Sequence, residues 1–199
     1  MHDFSIVLQA GGKSSRMGAD KALVPFRGTI LLGYILKQVR TLSDDLILIS
    51  NRPADYARFG LPVFSDVYPD WGALGGLHAA IYHAPRDLCL VLACDMPFVN
   101  QAFLLHLLAE SAGYDAVIPR LGPDRLAEPF RAVYRKSCLA PIEAAIAAGR
   151  RRANSFFEEV SARFVDENEI LSFDPDLRTF FNVNTPEDLE IAERMASDD

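Results

Sequence analysis

Residues 6–21, I-V-L-Q-A-G-G-K-S-S-R-M-G-A-D-K, limit what this chain can fold into more than any other stretch. A short apolar run passes directly into glycine, serine and basic residues. An apolar strand that ends in glycines lets backbone N–H groups come close to a ligand. Small residues make the tight turns, and inward-facing amides form an anion nest. Lys13, Arg16 and Lys21 add fixed positive charge, so the fitting ligand is a chain of phosphates. Two familiar phosphate motifs are excluded by spacing. Gly12-Lys13-Ser14 could close a P-loop, but the glycine needed at the head of that motif falls on Val7. The dinucleotide pattern G-x-G-x-x-G finds no match either. The plain alternative is a glycine-rich turn whose basic residues are merely solvated.

A chain of 199 residues suits one domain, and with half of them hydrophobic and 24% charged it can bury a proper core. The formal net charge of −7 argues against a general nucleic-acid binder, so positive charge must be concentrated locally to hold an anion. Cys89, Cys94 and Cys138 are odd in number and lack C-x-x-C spacing, which reads as a reducing compartment with no disulfide framework. Met1-His2-Asp3 carries no basic leader, and no segment approaches the roughly 20 apolar residues of a membrane span. The expectation is a soluble, cytoplasmic protein with no nucleic-acid or membrane partner.

The hydrophobic pattern predicts strands over residues 4–8, 45–50, 61–65, 88–93 and 115–119. Helices are expected over 32–39, 77–83 and 101–111, with residues 69–76 as a flexible connection. Strands alternating with helices point to a mainly parallel α/β sheet flanked by helices. Beyond residue 120 the character changes. Residues 126–134 read as an edge or bulged strand because of Pro129, giving a small antiparallel extension. A helix over 137–148 ending at Gly149, a helix over 154–160 and a strand over 163–166 follow. Thr185 is placed to cap a last helix with Pro186 at its first position.

In open α/β sheets, ligands sit at the carboxyl ends of strands. Four such ends carry polar groups here: the glycine loop, Asn51, Asp66 and Asp95. Asp95 directly follows the most apolar strand, where an unpaired carboxylate is expensive, so it needs hydrogen bonds or a cation. It either caps the turn before Pro97 or serves as a Mg²⁺ ligand, since Mg²⁺ takes one or two carboxylates plus substrate phosphates. No Ser-His-Asp or Cys-His set stands out, and His78, His83 and His106 fall on predicted helices as satisfied or surface groups.

The A-G-G-K-S-S-R-M-G-A-D-K string resembles the signature of the nucleotidyltransferases, specifically the molybdenum cofactor guanylyltransferase family. G-A-L-G-G-L, C-D-M-P and N-V-N-T-P-E-D-L follow in that family's order, so the likeness runs from residue 6 to 189. It implies a single Rossmann-like nucleotidyltransferase domain over 1–199. Residues 1–120 would form a nucleotide-binding half and 121–199 an acceptor-binding half. The implied reaction transfers GMP from Mg-GTP to molybdenum-molybdopterin with release of pyrophosphate. By the same likeness Gln9, Ala10, Gly11, Gly12, Lys21, Asn51, Asp66, Gly75 and Asp95 meet the nucleotide. Arg16, Lys21 and Asp95 would act in catalysis, with Asp95 the Mg²⁺ ligand. One departure is Gln9, where the family usually has Leu.

Acceptor candidates are Arg151 and Arg152, whose guanidinium forks suit phosphate but which also read as a solvated charge run. Asn182 and Asn184 would share one face if they lay on a strand, the face that the likeness gives to the molybdopterin pocket. Partners beyond the two substrates would be cofactor-delivery or molybdoenzyme-maturation proteins. The rival readings are the cytidylyltransferase acting on the same pterin, which typically has A-A-G and D-I-D-T-P, another small-molecule nucleotidyltransferase, or a partner protein that binds nucleotide without transferring it.

Overall fold

The computed structural model describes residues 3–10, 20–124 and 126–197. Its spine is strand β1, Phe4–Gln9, almost wholly buried because both faces of the sheet are covered. A two-residue hairpin follows, β2 Pro25–Phe26 and β3 Thr29–Ile30, then helix α1, Leu31–Val39. Leu32, Ile35, Leu36 and Val39 recur at helical spacing and turn α1 onto the core. Next come β4 Leu46–Ile49, the short α2 Pro53–Tyr56, β5 Val63–Phe64, α3 Gly72–His83 and β6 Leu88–Ala93. The later elements are α4 Gln101–Ala109, β7 Ala116–Leu121, β8 Leu126–Ala127, β9 Arg131–Arg135 and α5 Leu139–Ala147. β10 Ala162–Asp166, α6 Glu167–Leu171 and α7 Pro186–Met195 complete the described chain.

The main sheet runs β10-β7-β9-β6-β1-β4-β5, with β8 paired to β7. All pairings are parallel except those of β9 with β6 and β7, and of β8 with β7. The carboxyl ends of β5, β4, β1, β6, β7 and β10 therefore share one edge. Alternation along the strands builds a core on each side. Ile6, Leu8, Leu90 and Leu92 pack with α1 and α4, whereas Val7, Val91, Ala132 and Tyr134 pack with α3 and α5. A third cluster joins Val24, Phe26, Phe98, Val183 and Ala192, docking α7 on the hairpin. The three cysteines are free and buried, behaving as small hydrophobes.

The mainly parallel sheet flanked by helices stands as expected, and four local expectations change. Helix α3 begins at Gly72, so residues 72–76 are helical and not a flexible connection. The glycines there serve close packing: a Cβ on Gly75 would lie 2.9 Å from the Tyr68 carbonyl oxygen, and one on Gly76 would lie 2.6 Å from Gln9 Nε2. Residues 126–134 are two strands, and β9 is interior to the sheet instead of at its edge. Pro129 sits in the turn between them, where its missing N–H is harmless and its carbonyl accepts from the Tyr134 hydroxyl at 2.9 Å. The expected helix over 154–160 shrinks to a single 3-10 turn, Phe157–Glu159. Residues 181–184 form no strand, so the shared face for Asn182 and Asn184 does not arise.

Candidate functional site

Lys21 stands in a 3-10 turn, Lys21–Leu23, that Asp20 caps by accepting from the Ala22 N–H. Its ammonium donates to Asn184 Oδ1 at 2.7 Å and lies 3.9 Å from Asp95 Oδ2. Asn184 reaches it from just before α7. There a reciprocal cap operates: Thr185 accepts from the Asp188 N–H, while the Asp188 carboxylate accepts from the N–H groups of Asn184 and Thr185. Asp95 follows β6. The Cys94 N–H donates to the Gln9 carbonyl, and the Asp95 carbonyl accepts from the Val183 N–H at 2.8 Å. Three distant stretches thus converge on one charged cluster at the carboxyl edge of the sheet. Burial pushes the Asp95 carboxyl above its ordinary range, against the opposing pull of the nearby Lys21 charge.

A second polar pair sits two strands away. Asn51 Nδ2 donates to Asp66 Oδ2 at 2.8 Å, and the Asp66 N–H returns a bond to Asn51 Oδ1 at 2.9 Å. The adjoining ends of β4 and β5 make this pairing inevitable, since Ser50 N–H also donates to the Phe64 carbonyl. Asp20 ties the Lys21 turn to the segment after β4: its carboxylate accepts from Arg52 and, at 2.5 Å, from the buried Tyr56 hydroxyl.

Residues 6–164 match the MobA-like NTP transferase domain. The chain belongs to this family. Among relatives, it is 37% identical to the molybdenum cofactor guanylyltransferase of Syntrophotalea carbinolica, covering 94% of this chain and 89% of that protein. It is 34% identical to the probable molybdenum cofactor guanylyltransferase of Clostridium perfringens strain 13, covering 94% of each. The crystal structure of molybdopterin-guanine dinucleotide biosynthesis protein A from Archaeoglobus fulgidus superposes with a TM-score of 0.85 at 30% identity, covering 98% of this chain and all of that one. The 2-C-methyl-D-erythritol 4-phosphate cytidylyltransferase of Thermus thermophilus, at 17% identity and a TM-score of 0.71, shares the fold over 97% of this chain and 98% of that one.

The sequence-predicted site residues of this MobA-like chain divide into several groups. Lys21, Asp95 and Asn184 meet directly, and Asn51 and Asp66 meet each other. Ala10 is buried with its N–H committed to the Ile49 carbonyl at 2.9 Å, so of its own backbone groups only the carbonyl remains to face a ligand. Gly75 is pressed against Trp71 and the Tyr68 carbonyl within α3. Gln9 lies against Gly76, and its buried Oε1 has no hydrogen-bond partner among the described residues. Arg151 donates to the Asp70 carbonyl at 2.7 Å and stacks over Trp71, Arg152 is exposed, and Asn182 donates to the Phe180 carbonyl. These last three do not join the Lys21 cluster. Gly11, Gly12 and Arg16 lie outside the described residues.

The donor set at Asp95 fits a hard divalent cation. Among the described residues no three His, Cys, Asp or Glu side chains are grouped to hold a metal, but Mg²⁺ needs only one or two carboxylates when substrate phosphates supply the rest. A desolvated carboxylate beside a lysine meets that requirement. Among the described residues no helix is long and apolar enough to cross a membrane. One residue that the sequence did not point to is Asp20. It is present in the G-A-D-K string, yet its partners Arg52 and Tyr56 come from a different loop, so no local pattern announces its role.

Proposed function

We propose that this chain transfers GMP from GTP to the terminal phosphate of molybdenum-molybdopterin, releasing pyrophosphate and yielding the guanine dinucleotide form of the cofactor. The observation that carries the reading is the convergence of Lys21, Asp95 and Asn184 on the edge where such a sheet binds ligands. The names of the relatives support the reaction class.

A terminal phosphate oxygen of the acceptor attacks the α-phosphorus of GTP and a new P–O bond forms. The bond from that phosphorus to the bridging oxygen breaks, and pyrophosphate leaves with the electron pair. The attacking group is already an anion, so no strong base is required. Catalysis then rests on charge compensation and alignment. Mg²⁺, held by Asp95, would offset charge on the phosphates when bound. Lys21, oriented by Asn184 and the Asp20 cap, meets the phosphates. Gly11, Gly12 and Arg16 belong to the same phosphate subsite. The Asn51–Asp66 pair holds the guanosine end. Residues 1–120 thus serve the nucleotide, while 121–199, with Arg151 and Arg152, serve the acceptor. The product passes on toward molybdoenzyme maturation.

The test supplies the purified chain with Mg²⁺, molybdopterin and either GTP or CTP, and follows pyrophosphate release and the dinucleotide product. Product with GTP in preference to CTP is expected. Preference for CTP would assign the chain to cytidylyl transfer. GTP binding with no product from either nucleotide would reduce it to a binding protein.

A further inference from the structure

Arg131 is the largest fully buried side chain among the described residues, with 0% exposure. It opens β9 opposite Leu92 of β6, on the sheet face that it shares with Val133, α1 and α4. Its Nη2 donates to the Met96 carbonyl at 2.9 Å, directly after Asp95. Its Nε and Nη1 are buried with no hydrogen-bond partner among the described residues. The carboxylates whose charges act on it are those of Glu128, Asp95 and Asp174. Burial brings the guanidinium pKa down to about 10, so it remains a cation at neutral pH.

For packing alone this is a poor choice of residue. A buried ion pair is often replaced whole by apolar residues of similar volume without loss of stability, and unpartnered buried donors carry a desolvation penalty. A fixed charge behind the Asp95–Met96 turn has a different use. In the poorly screened interior it acts on Asp95 from behind, while its N–H fixes the carbonyl of the next residue. The Val183 N–H holds the Asp95 carbonyl as well, so the turn is gripped at two successive carbonyls.

We propose that Arg131 is a positioning residue that aims and electrostatically supports the Asp95 carboxylate from beneath the sheet edge. This rests on the reading of Asp95 as the metal-binding carboxylate.

The test compares Arg131→Met, Arg131→Gln and Arg131→Lys with the wild type. Binding of Mn²⁺ in the presence of GTP is followed by electron paramagnetic resonance, alongside thermal melting and steady-state kinetics of the transfer. Arg131→Met is expected to melt below the wild type, because the Glu128 and Asp174 carboxylates lose their counter-charge, and to bind Mn²⁺ at least about tenfold more weakly, a loss of about 1.4 kcal/mol. Its kcat should fall while the KM for the acceptor holds. Arg131→Lys should recover part of the Mn²⁺ affinity, and Arg131→Gln, which keeps a donor but no charge, should recover less. Wild-type Mn²⁺ affinity in Arg131→Met, or equal affinity in the Lys and Gln variants, overturns the proposal. Asp95→Asn is the control: if it binds Mn²⁺ as the wild type does, the metal-binding reading of Asp95 is what fails, and the proposal goes with it.

Discussion

The hydrogen bond between Tyr56 and Asp20 offers a quantitative check on how the Lys21 turn is held. Tyr56 is wholly buried, and its hydroxyl donates to Asp20 at 2.5 Å, while burial followed by that bond holds the phenol protonated well above its ordinary range. Tyr56→Phe removes one bond to a charged acceptor, a loss of about 1.5–3 kcal/mol. Asp20→Ala strands the buried hydroxyl at about 1–3 kcal/mol and removes the cap on Ala22 at about 1 kcal/mol more, so about 2–4 kcal/mol in all. In the Asp20→Ala background, Tyr56→Phe removes a group that is already unpartnered and should cost almost nothing. The double-mutant cycle, read by urea denaturation, should therefore return a coupling of about 1.5–3 kcal/mol. In thermal melts Tyr56→Phe alone corresponds to about 3–12 °C for a chain of this size. Asp20→Ala should also weaken GTP binding, because the turn carrying Lys21 loses its anchor. Additive effects, with a coupling near zero, would refute the idea that this bond fastens the Lys21 turn to the β4 end.

Three further outcomes are expected. Asp95→Asn should abolish transfer and, measured with chelator present, should raise the melting temperature at neutral pH. Because the folded carboxyl pKa is raised, mainly by desolvation, the wild type loses stability as pH rises from the unfolded pKa through the folded one. The gap between the two proteins should therefore shrink toward acid, and a less stable Asp95→Asn at pH 7 would contradict this. Gly75→Ala places a Cβ 2.9 Å from the Tyr68 carbonyl oxygen, a backbone atom that cannot yield cheaply, and should destabilise by about 1–3 kcal/mol in urea; wild-type stability would contradict the close-packing role of this glycine. Thr185→Ala should cost about 1 kcal/mol in denaturant and raise the KM for GTP, since the cap also sets the backbone of Asn184; a stability loss with unchanged KM would separate the cap from the site.

What could be read in the sequence was whatever the chain states locally. The apolar run before Asp95 announced a buried strand, and the position of the acid after it announced a carboxylate at the carboxyl edge of the sheet. Asn51 and Asp66 were legible for the same reason, each at the end of a strand. Asp20 and Arg131 were not. Asp20 finds Tyr56 across 36 positions and Arg131 finds Met96 across 35, and neither separation leaves a periodic trace. In L-A-E-P-F-R-A-V-Y an arginine looks like the exposed face of an edge strand, because β9's second neighbour cannot be seen from within the segment. Gly75 and Gly76 misled in the opposite direction. Glycine usually signals freedom, yet here its missing side chain lets α3 approach Gln9 and Tyr68.

The place of β9 bears on how the molecule is made. It lies between β6 and β7, yet it is synthesised after both. Until residues 131–135 take their place, the middle of the sheet has a gap, with an edge of β6 and an edge of β7 unbonded. Open edges of this kind recruit other chains. Closing the sheet is thus a late act of the nascent protein, and a chain that stalls or is cut before β9 leaves its most adhesive surfaces at its centre, not at its rim.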